Sequence, residues 1–296
     1  MTCAPIALFV YNRPWHVRQA VATLQKNALS KKSDLYIFSD AAANEAAQSG
    51  VKETREFIKS ISGFNSVKIV IRESNFGLEK TMINGITDLL AERESIIVLE
   101  EDLVCSPFFL DYMNRALEFY KNEDRVISIH GYVYPVSSSL PETYFLRGAD
   151  CWGWGTWRRG WQIFEQDGNC LLEELKTRGL ERQFDINGSY PYTRMLKKHV
   201  AGKNNSWAIR WYASAFLKDK LTLYPGYSLI RNIGNDGSGT HCAPSRYFDG
   251  KLHNSAVSIG GIPIEENTAA LKEFEKYFKS IANRRVVSSI RKLLKF

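Results

Sequence analysis

Short apolar runs and amphipathic stretches alternate without a break through the first hundred residues. That alternation restricts the fold more than any other feature of the chain. Residues 6–11 (IALFVY), 35–40 (LYIFSD), 67–73 (VKIVIRE) and 95–100 (SIIVLE) are strand-length runs rich in Ile, Val, Phe and Tyr. Between them, residues 16–28, 51–61 and 79–93 carry helical spacing; in the first, Val17, Ala20, Val21 and Leu24 share one stripe. Strands that are apolar along their length are covered on both faces, so the pattern predicts a parallel sheet with helices on both sides. Such sheets bind ligands beyond the carboxyl ends of their strands. Asn12, Asp40, Asn75 and the run Glu100, Glu101, Asp102 all fall at such ends, so four polar clusters share one edge.

The second half reads differently. Residues 125–136 and 143–157 suggest strands, aromatic loops and Gly hinges, residues 168–179 and 206–220 suggest helices, and residues 221–242 hold a strand pair followed by a Gly-rich loop. No linker, repeat or low-complexity tract interrupts the chain. The expectation is one continuous domain over residues 1–262, with a nucleotide-binding half at 1–104 and an acceptor half at 105–262. A helical, basic tail follows over 263–296.

The 296 residues are 44% hydrophobic and 24% charged, ordinary values for a globular protein with a sizeable core. A net charge of +7 is compatible with nucleic acid, an anionic membrane or a phosphate-rich ligand, and does not choose among them. Part of it lies in the tail, and an acidic strand end repels phosphate unless a metal is present, so nucleic acid is not the expected partner. Five Cys with no CxxC pair argue against a disulfide framework or a zinc site and for a reducing compartment. The first residues lack the pattern of a leader peptide, and no run approaches the roughly 18 apolar residues of a spanning helix.

The apolar run Ile96–Leu99 ends in three carboxylates. Such a strand end either leaves the protein for solvent or is neutralised by a cation. Mg²⁺ or Mn²⁺ suits it, because hard divalent ions take oxygen ligands from one or two carboxylates and from substrate phosphates. Pro107 marks a helix start shortly afterwards.

In this setting Glu100-Glu101-Asp102, followed by Pro107, Phe108, Phe109 and Tyr112, resembles the metal-binding region of GT-A nucleotide-sugar glycosyltransferases. The nearest resemblance is to the N-acetylglucosaminyltransferase I-like branch and related bacterial enzymes of surface polysaccharide synthesis. Residues 9–24 (FVYNRPWHVRQAVATL) look like the first strand and turn of these enzymes, and 37–42 (IFSDAA) like their second strand end. Residues 75–86 (NFGLEKTMINGI) look like the segment closing over the nucleotide. Residues 152–161 (WGWGTWRRGW) look like the aromatic acceptor-side segment, and 237–241 (GSGTH) like a late loop. The resemblance covers roughly residues 5–245.

It implies an α/β fold of GT-A, Rossmann-like type: a mixed sheet with helices on both faces and a C-terminal helical tail. It implies a metal-dependent hexosyl- or N-acetylhexosaminyl-transferase that uses a nucleoside-diphosphate sugar, first of all a UDP-sugar, with Mn²⁺ or Mg²⁺ as cofactor. The acceptor would be a saccharide or lipid-linked saccharide of bacterial lipopolysaccharide or capsule. Asp102 would be the metal ligand, joined by His241. Glu100 and Glu101 would meet the ribose or a metal-bound water. Tyr11, Asn12, Arg13, Asp40, Asn75, Gly77 and Lys80 would line the nucleotide, Asp40 reading its base and Arg13 and Lys80 its phosphates. Trp152 and Trp154 would face the sugar or acceptor. An ordinary surface charge is the other reading of Arg13 and Lys80, a satisfied loop residue that of His241, and core packing that of the tryptophans.

The resemblance breaks at the general base. The family carries a carboxylate near the position of Ala208, and no Asp or Glu stands between Asp185 and Asp219. Asp150 is the first candidate base and Asp236 the second, with a turn role as the other reading of Asp150. A retaining enzyme, or a non-catalytic nucleotide-sugar or glycan binding module of the same fold, would also account for the gap. In the tail, residues 283–296 place Val286, Val287, Ile290, Leu293, Leu294 and Phe296 on one side with five basic residues around them. Such a helix lies on a membrane surface, caps its own core, or forms a homodimer contact. The expected location is cytoplasmic, peripheral at the inner face of the membrane if the tail binds lipid.

Overall fold

The structure is a computed structural model that describes residues 3–239 and 246–293, with side chains as far as residue 284. The first half runs β1 (Ile6–Val10), α1 (Pro14–Gln25), β2 (Asp34–Ser39), α2 (Glu45–Ile58), β3 (Ser66–Ile71), α3 (Gly77–Glu92) and β4 (Ser95–Glu100). The second continues with β5 (Leu103–Cys105), α4 (Phe109–Phe119), β6 (Val126–His130), β7 (Thr143–Arg147), β8 (Trp154–Trp157), α5 (Arg158–Trp161) and α6 (Gly168–Thr177). It ends with α7 (Glu181–Phe184), α8 (Tyr192–Val200), α9 (Trp207–Leu217), β9 (Leu221–Pro225), β10 (Ile230–Asn232) and α10 (Thr268–Leu293).

Eight strands form one sheet in the order β3-β2-β1-β4-β8-β6-β9-β7. The first four are parallel, as the alternation predicts. Strand β8 then enters antiparallel between β4 and β6, and β7 closes the far edge antiparallel to β9, which makes the sheet mixed. Alternate residues of β1 serve opposite faces: Ile6, Leu8 and Val10 pack under α1 and α4, while Ala7 and Phe9 pack with α3 and the tryptophans. The Rossmann-like α/β architecture, with helices on both faces and a C-terminal helix, is therefore the one expected.

Boundaries move where local chemistry was not read. Helix α2 starts at Glu45 rather than 51, because the Asn44 side chain accepts from the Ala47 amide at 3.1 Å and caps it. Strand β3 is an edge strand and only half-buried. The two strands expected within 221–242 do not pair with each other: β9 joins the main sheet, and β10 pairs antiparallel with β5. Helix α10 sends Ala270, Phe274, Phe278 and Ile281 into the core, Phe274 and Phe278 against Tyr134. The residues that form the amphipathic face proposed for the tail lie beyond the described side chains.

Strands β1, β2 and β3 are laid outward on one side, and β4 then falls on the other side of β1. The carboxyl ends of β1 and β4 thus diverge into the crevice where open α/β sheets take their ligands.

Candidate functional site

Two segments meet in that crevice, the turn after β1 and the acidic run after β4. The turn ends with Pro14 at the first helical position of α1, where its fixed φ and missing donor cost nothing. Arg13, just before it, is thereby aimed across the crevice. Its Nε donates to Glu101 Oε1 and its Nη2 to Asp102 Oδ2, both at 2.7 Å. The Tyr11 amide donates to the other Glu101 oxygen at 2.6 Å. Glu101 is buried, which raises its pKa, while Arg13 and the Tyr11 amide oppose that rise. The two carboxylates keep the guanidinium protonated against its own burial. Glu100 lacks such a partner; burial, reinforced by Asp102, pushes its carboxyl up to about 8.

The run therefore neither exits to solvent nor passes straight into a helix. Strand β5 follows it, and through β10 it draws the late loop over the acids. The Ile233 amide donates to the Asp102 carbonyl at 2.8 Å. Gly234 passes so close that a Cβ there would overlap Asp102 Oδ2 and crowd Arg13. Among the described residues no group of three His, Cys, Asp or Glu side chains gathers that could hold a metal ion. His241 lies outside the described residues.

The other nucleotide-side candidates form a second cluster. Asp40 is buried, and its oxygens accept from the amides of Phe76 (2.9 Å) and Gly77 (2.8 Å) and from Asn75 Nδ2 (3.2 Å). It thus holds the N-terminus of α3, where a carboxylate complements the helix dipole. Asn75 also donates to the Ala41 carbonyl at 2.6 Å, and Tyr11 Oη accepts from the Ala43 amide at 2.9 Å. Together these contacts tie the loops after β1, β2 and β3 to one another. Asn12 packs under α2, where only the absence of a side chain on Gly50 lets its carbonyl fit. Lys80 is exposed on α3.

Asp150 lies in a cavity of about 370 Å³ whose wall includes Tyr134, Trp152, Tyr192, Ala208, Tyr212 and Phe274. Tyr134 Oη donates to Asp150 Oδ2 at 3.1 Å, and the Cys151 amide to Oδ1 at 2.9 Å. Both α9 and α10 therefore help to build this wall. Burial, and then Asp150, Glu100 and Asp102, push the Cys151 thiol up. Trp152 stands edge-on to Tyr132 and Phe248 at the cavity. Trp154 does not reach it: fully buried, it packs with Trp161, Trp207 and Trp211 on the opposite sheet face. Trp152 stands before β8, and Gly153 between the two has a φ of 65°, so the strand's alternation does not extend to Trp152 and the two rings part. Asp236 is an exposed loop carboxylate whose oxygen accepts from the Ser238 hydroxyl (2.6 Å) and amide (2.9 Å), and this holds it below the usual carboxylate range.

Three features went unread in the sequence. Buried His16 approaches Asp236 at 3.1 Å. Tyr134, in a stretch expected as strand, supplies the partner of Asp150. Arg210, on the helix where an acid was sought, is buried and pairs with Glu79 of α3 at 2.6 Å. The i,i+3 spacing of Arg13 and His16 is a signal for the first; Tyr134 and Asp150 meet across an intervening strand, sixteen residues apart, and Arg210 and Glu79 join segments 131 residues apart.

A scan against protein families and a search of curated proteins return no match. Among solved structures the chain is similar to S. aureus TarS, with a TM-score of 0.42 and 11% identity, covering 78% of this chain and 37% of that one. It is similar to the mannosyltransferase PcManGT from Pyrobaculum calidifontis, in complex with GDP-Man and Mn²⁺, with a TM-score of 0.31, 13% identity and coverage of 45% and 36%. It is also similar to a UDP-glucose pyrophosphorylase complexed with UDP-glucose, with a TM-score of 0.37, 13% identity and coverage of 76% and 91%. The chain thus spans little more than a third of the first two, 37% and 36%. At these scores and identities the likenesses assign no activity.

Proposed function

We propose that the chain is a glycosyltransferase that moves a sugar from a nucleoside-diphosphate donor, in the first instance a UDP-sugar, to a saccharide hydroxyl. The observation that carries this reading is the Arg13–Glu101–Asp102 cluster at the switch point between β1 and β4. A guanidinium and carboxylates at that place suit a diphosphate and its counter-ion.

The donor set fits a divalent cation held largely by its substrate: Asp102 would be the protein ligand, with phosphate oxygens completing the shell, as is usual for Mg²⁺. When bound, the ion would neutralise charge growing on the departing nucleoside diphosphate. Arg13 binds and orients the phosphates. Tyr11, Asp40 and Asn75 keep the nucleotide-side loops in place, and Glu100 and Glu101 face the ribose. Asp150 takes the proton of the acceptor hydroxyl, and Tyr134 holds the carboxylate in one orientation for that transfer. The aromatic cavity wall, Trp152 included, suits the C–H faces of a sugar. We assign the acceptor to the saccharides or lipid-linked saccharides of bacterial surface polysaccharide, met at the cytoplasmic face of the membrane. No helix among the described residues is long and apolar enough to cross a membrane.

Thermal-shift titration with UDP-, GDP-, CMP- and dTDP-linked nucleotides, with and without Mn²⁺, tests the reading on the intact chain and on Asp102→Ala. A metal-dependent rise in Tm with one nucleotide, lost in the variant, is the expected result. No rise with any of them sinks the proposal. A second reading, a binding module of the same fold, draws support from Ala208, which stands at the cavity wall where the resemblance calls for an acid. Release of nucleoside diphosphate during incubation with donor separates the two, because a module only binds.

A further inference from the structure

His16 belongs to none of the roles above, yet it lies one turn beyond Arg13 and against the late loop. It is the third residue of α1, and only 5% of it is exposed. The Trp15 ring stands edge-on against it, with centroids 4.9 Å apart. Its Nε2 lies 3.1 Å from Asp236 Oδ2, a close polar contact that is not aligned as a hydrogen bond, and that nitrogen has no hydrogen-bond partner among the described residues. An imidazole nitrogen buried in this way is unfavourable, and packing alone would be served by an apolar side chain.

What the imidazole reaches is the late loop. Asp236 is fixed from its other side by Ser238, through the hydroxyl and amide contacts already described. Two residues earlier, the Gly234 amide donates to Asn232 Oδ1 at 2.7 Å, and the glycine lies against Asp102 and Arg13. A Cβ on Gly239 would stand 3.5 Å from Arg13 Nη1. The loop from Ile233 to Gly239 therefore crosses the acidic run from the side of Asp102 to the side of α1. It is fastened at its start by the Ile233–Asp102 backbone bond and at its middle by Asp236 against His16.

We propose that His16 is a positioning residue: through Asp236 it holds the loop 233–239 over the Arg13–Asp102 crevice as the cover of the donor's diphosphate. Asp236 is then the loop's fastening and not the general base, a role left to Asp150. The cover rests on the donor-site reading given above; the fastening itself rests on the His16–Asp236 contact alone.

Amide hydrogen exchange on the intact chain tests both parts. His16→Leu and Asp236→Asn each remove one side of the contact, and His16→Gln keeps a side-chain amide near the place of Nε2. The expected result is at least tenfold faster exchange over 233–239 in His16→Leu and Asp236→Asn, with slower exchange restored in part by His16→Gln. The first two variants should also weaken UDP binding about tenfold, and in turnover their effect should fall on the KM for donor, whereas Asp150→Asn acts on kcat. Unchanged exchange over 233–239 in Asp236→Asn overturns the proposal. That substitution is on the exposed partner, so it reads the contact even if His16→Leu does not fold. If UDP fails to bind the unaltered chain while the exchange result holds, the donor-site reading falls and the fastening stands.

Discussion

Arg13 and Glu101 join the ends of two parallel strands, Nε donating to Oε1 at 2.7 Å in a setting where both side chains are largely shielded from water. The same guanidinium serves Asp102, so a single cation answers two acids. Removing Arg13 leaves Glu101 buried without its counter-charge. Arg13→Met should cost about 3 kcal/mol of stability in urea unfolding, toward the lower end for a broken buried pair because Arg13 keeps some contact with solvent. The double variant Arg13→Met/Glu101→Gln should recover part of the loss, since the orphaned charge is gone.

Asp150 and Tyr134 make the sharpest test of the chemistry. Asp150→Asn keeps the shape of the cavity and should lower kcat by roughly 10² to 10⁴, the usual contribution of a positioned base, with little change in donor KM. Tyr134→Phe should lower kcat less and leave the fold intact by circular dichroism. Equal rates in Asp150→Asn and the unaltered protein would move the base elsewhere.

Trp152 and Trp154 are two residues apart in sequence and unequal in role. Trp154→Ala removes a fully buried ring from a cluster of four tryptophans and should destabilise by about 3–5 kcal/mol. Trp152→Ala, at the cavity wall, should cost less stability and show its effect in acceptor KM. Calorimetric melting of both variants beside acceptor kinetics separates the roles.

Asp40 offers a check on the nucleotide side. Asp40→Ala leaves the amides of Phe76 and Gly77 without their acceptor and should cost about 1–3 kcal/mol. Exchange should accelerate first at residues 75–79. Loss of nucleotide affinity without any loss of stability would mean that Asp40 meets the base and not the helix.

His130 predicts a pH dependence. It is fully buried, and its Nε2 accepts from the Trp152 amide at 3.1 Å, which requires the neutral ring. Burial lowers its pKa. The unfolded chain, with an ordinary value of about 6.5, then binds the proton more readily than the folded one. Stability therefore declines as pH falls from about 6.5 toward the folded value, and is fully present above that window. Urea midpoints at pH 7.5 and 5.5 should differ more for the native protein than for His130→Gln.

Much of the first half could be read from the chain, because its signals are local. The apolar runs at 6–11 and 95–100, the acids at 100–102 and the Pro14 helix start each depend on neighbours in sequence, and a parallel sheet sends such strand ends to one edge. The antiparallel insertion of β8 between β4 and β6 could not be read, since it depends on contacts between residues about sixty apart, such as Ile97 and Gly155. Asp150 was found as an acid beside aromatics. Its partner Tyr134 lies sixteen residues away across an intervening strand, and α10, which supplies Phe274 to the cavity wall, lies more than a hundred residues on.

The amino-acid sequence by itself determined the alternation of strand and helix, the parallel half-sheet and the edge on which polar residues collect, because hydrophobic period and strand-end chemistry act over a few residues. Only the tertiary structure decided that Arg13 answers Glu101 and Asp102, that Trp154 is core while Trp152 lines a cavity, and that His16 meets Asp236. Each of these is a pairing across the sheet or between distant loops. Which charge is neutralised and which ring is buried depends on what the rest of the chain brings within a few ångströms.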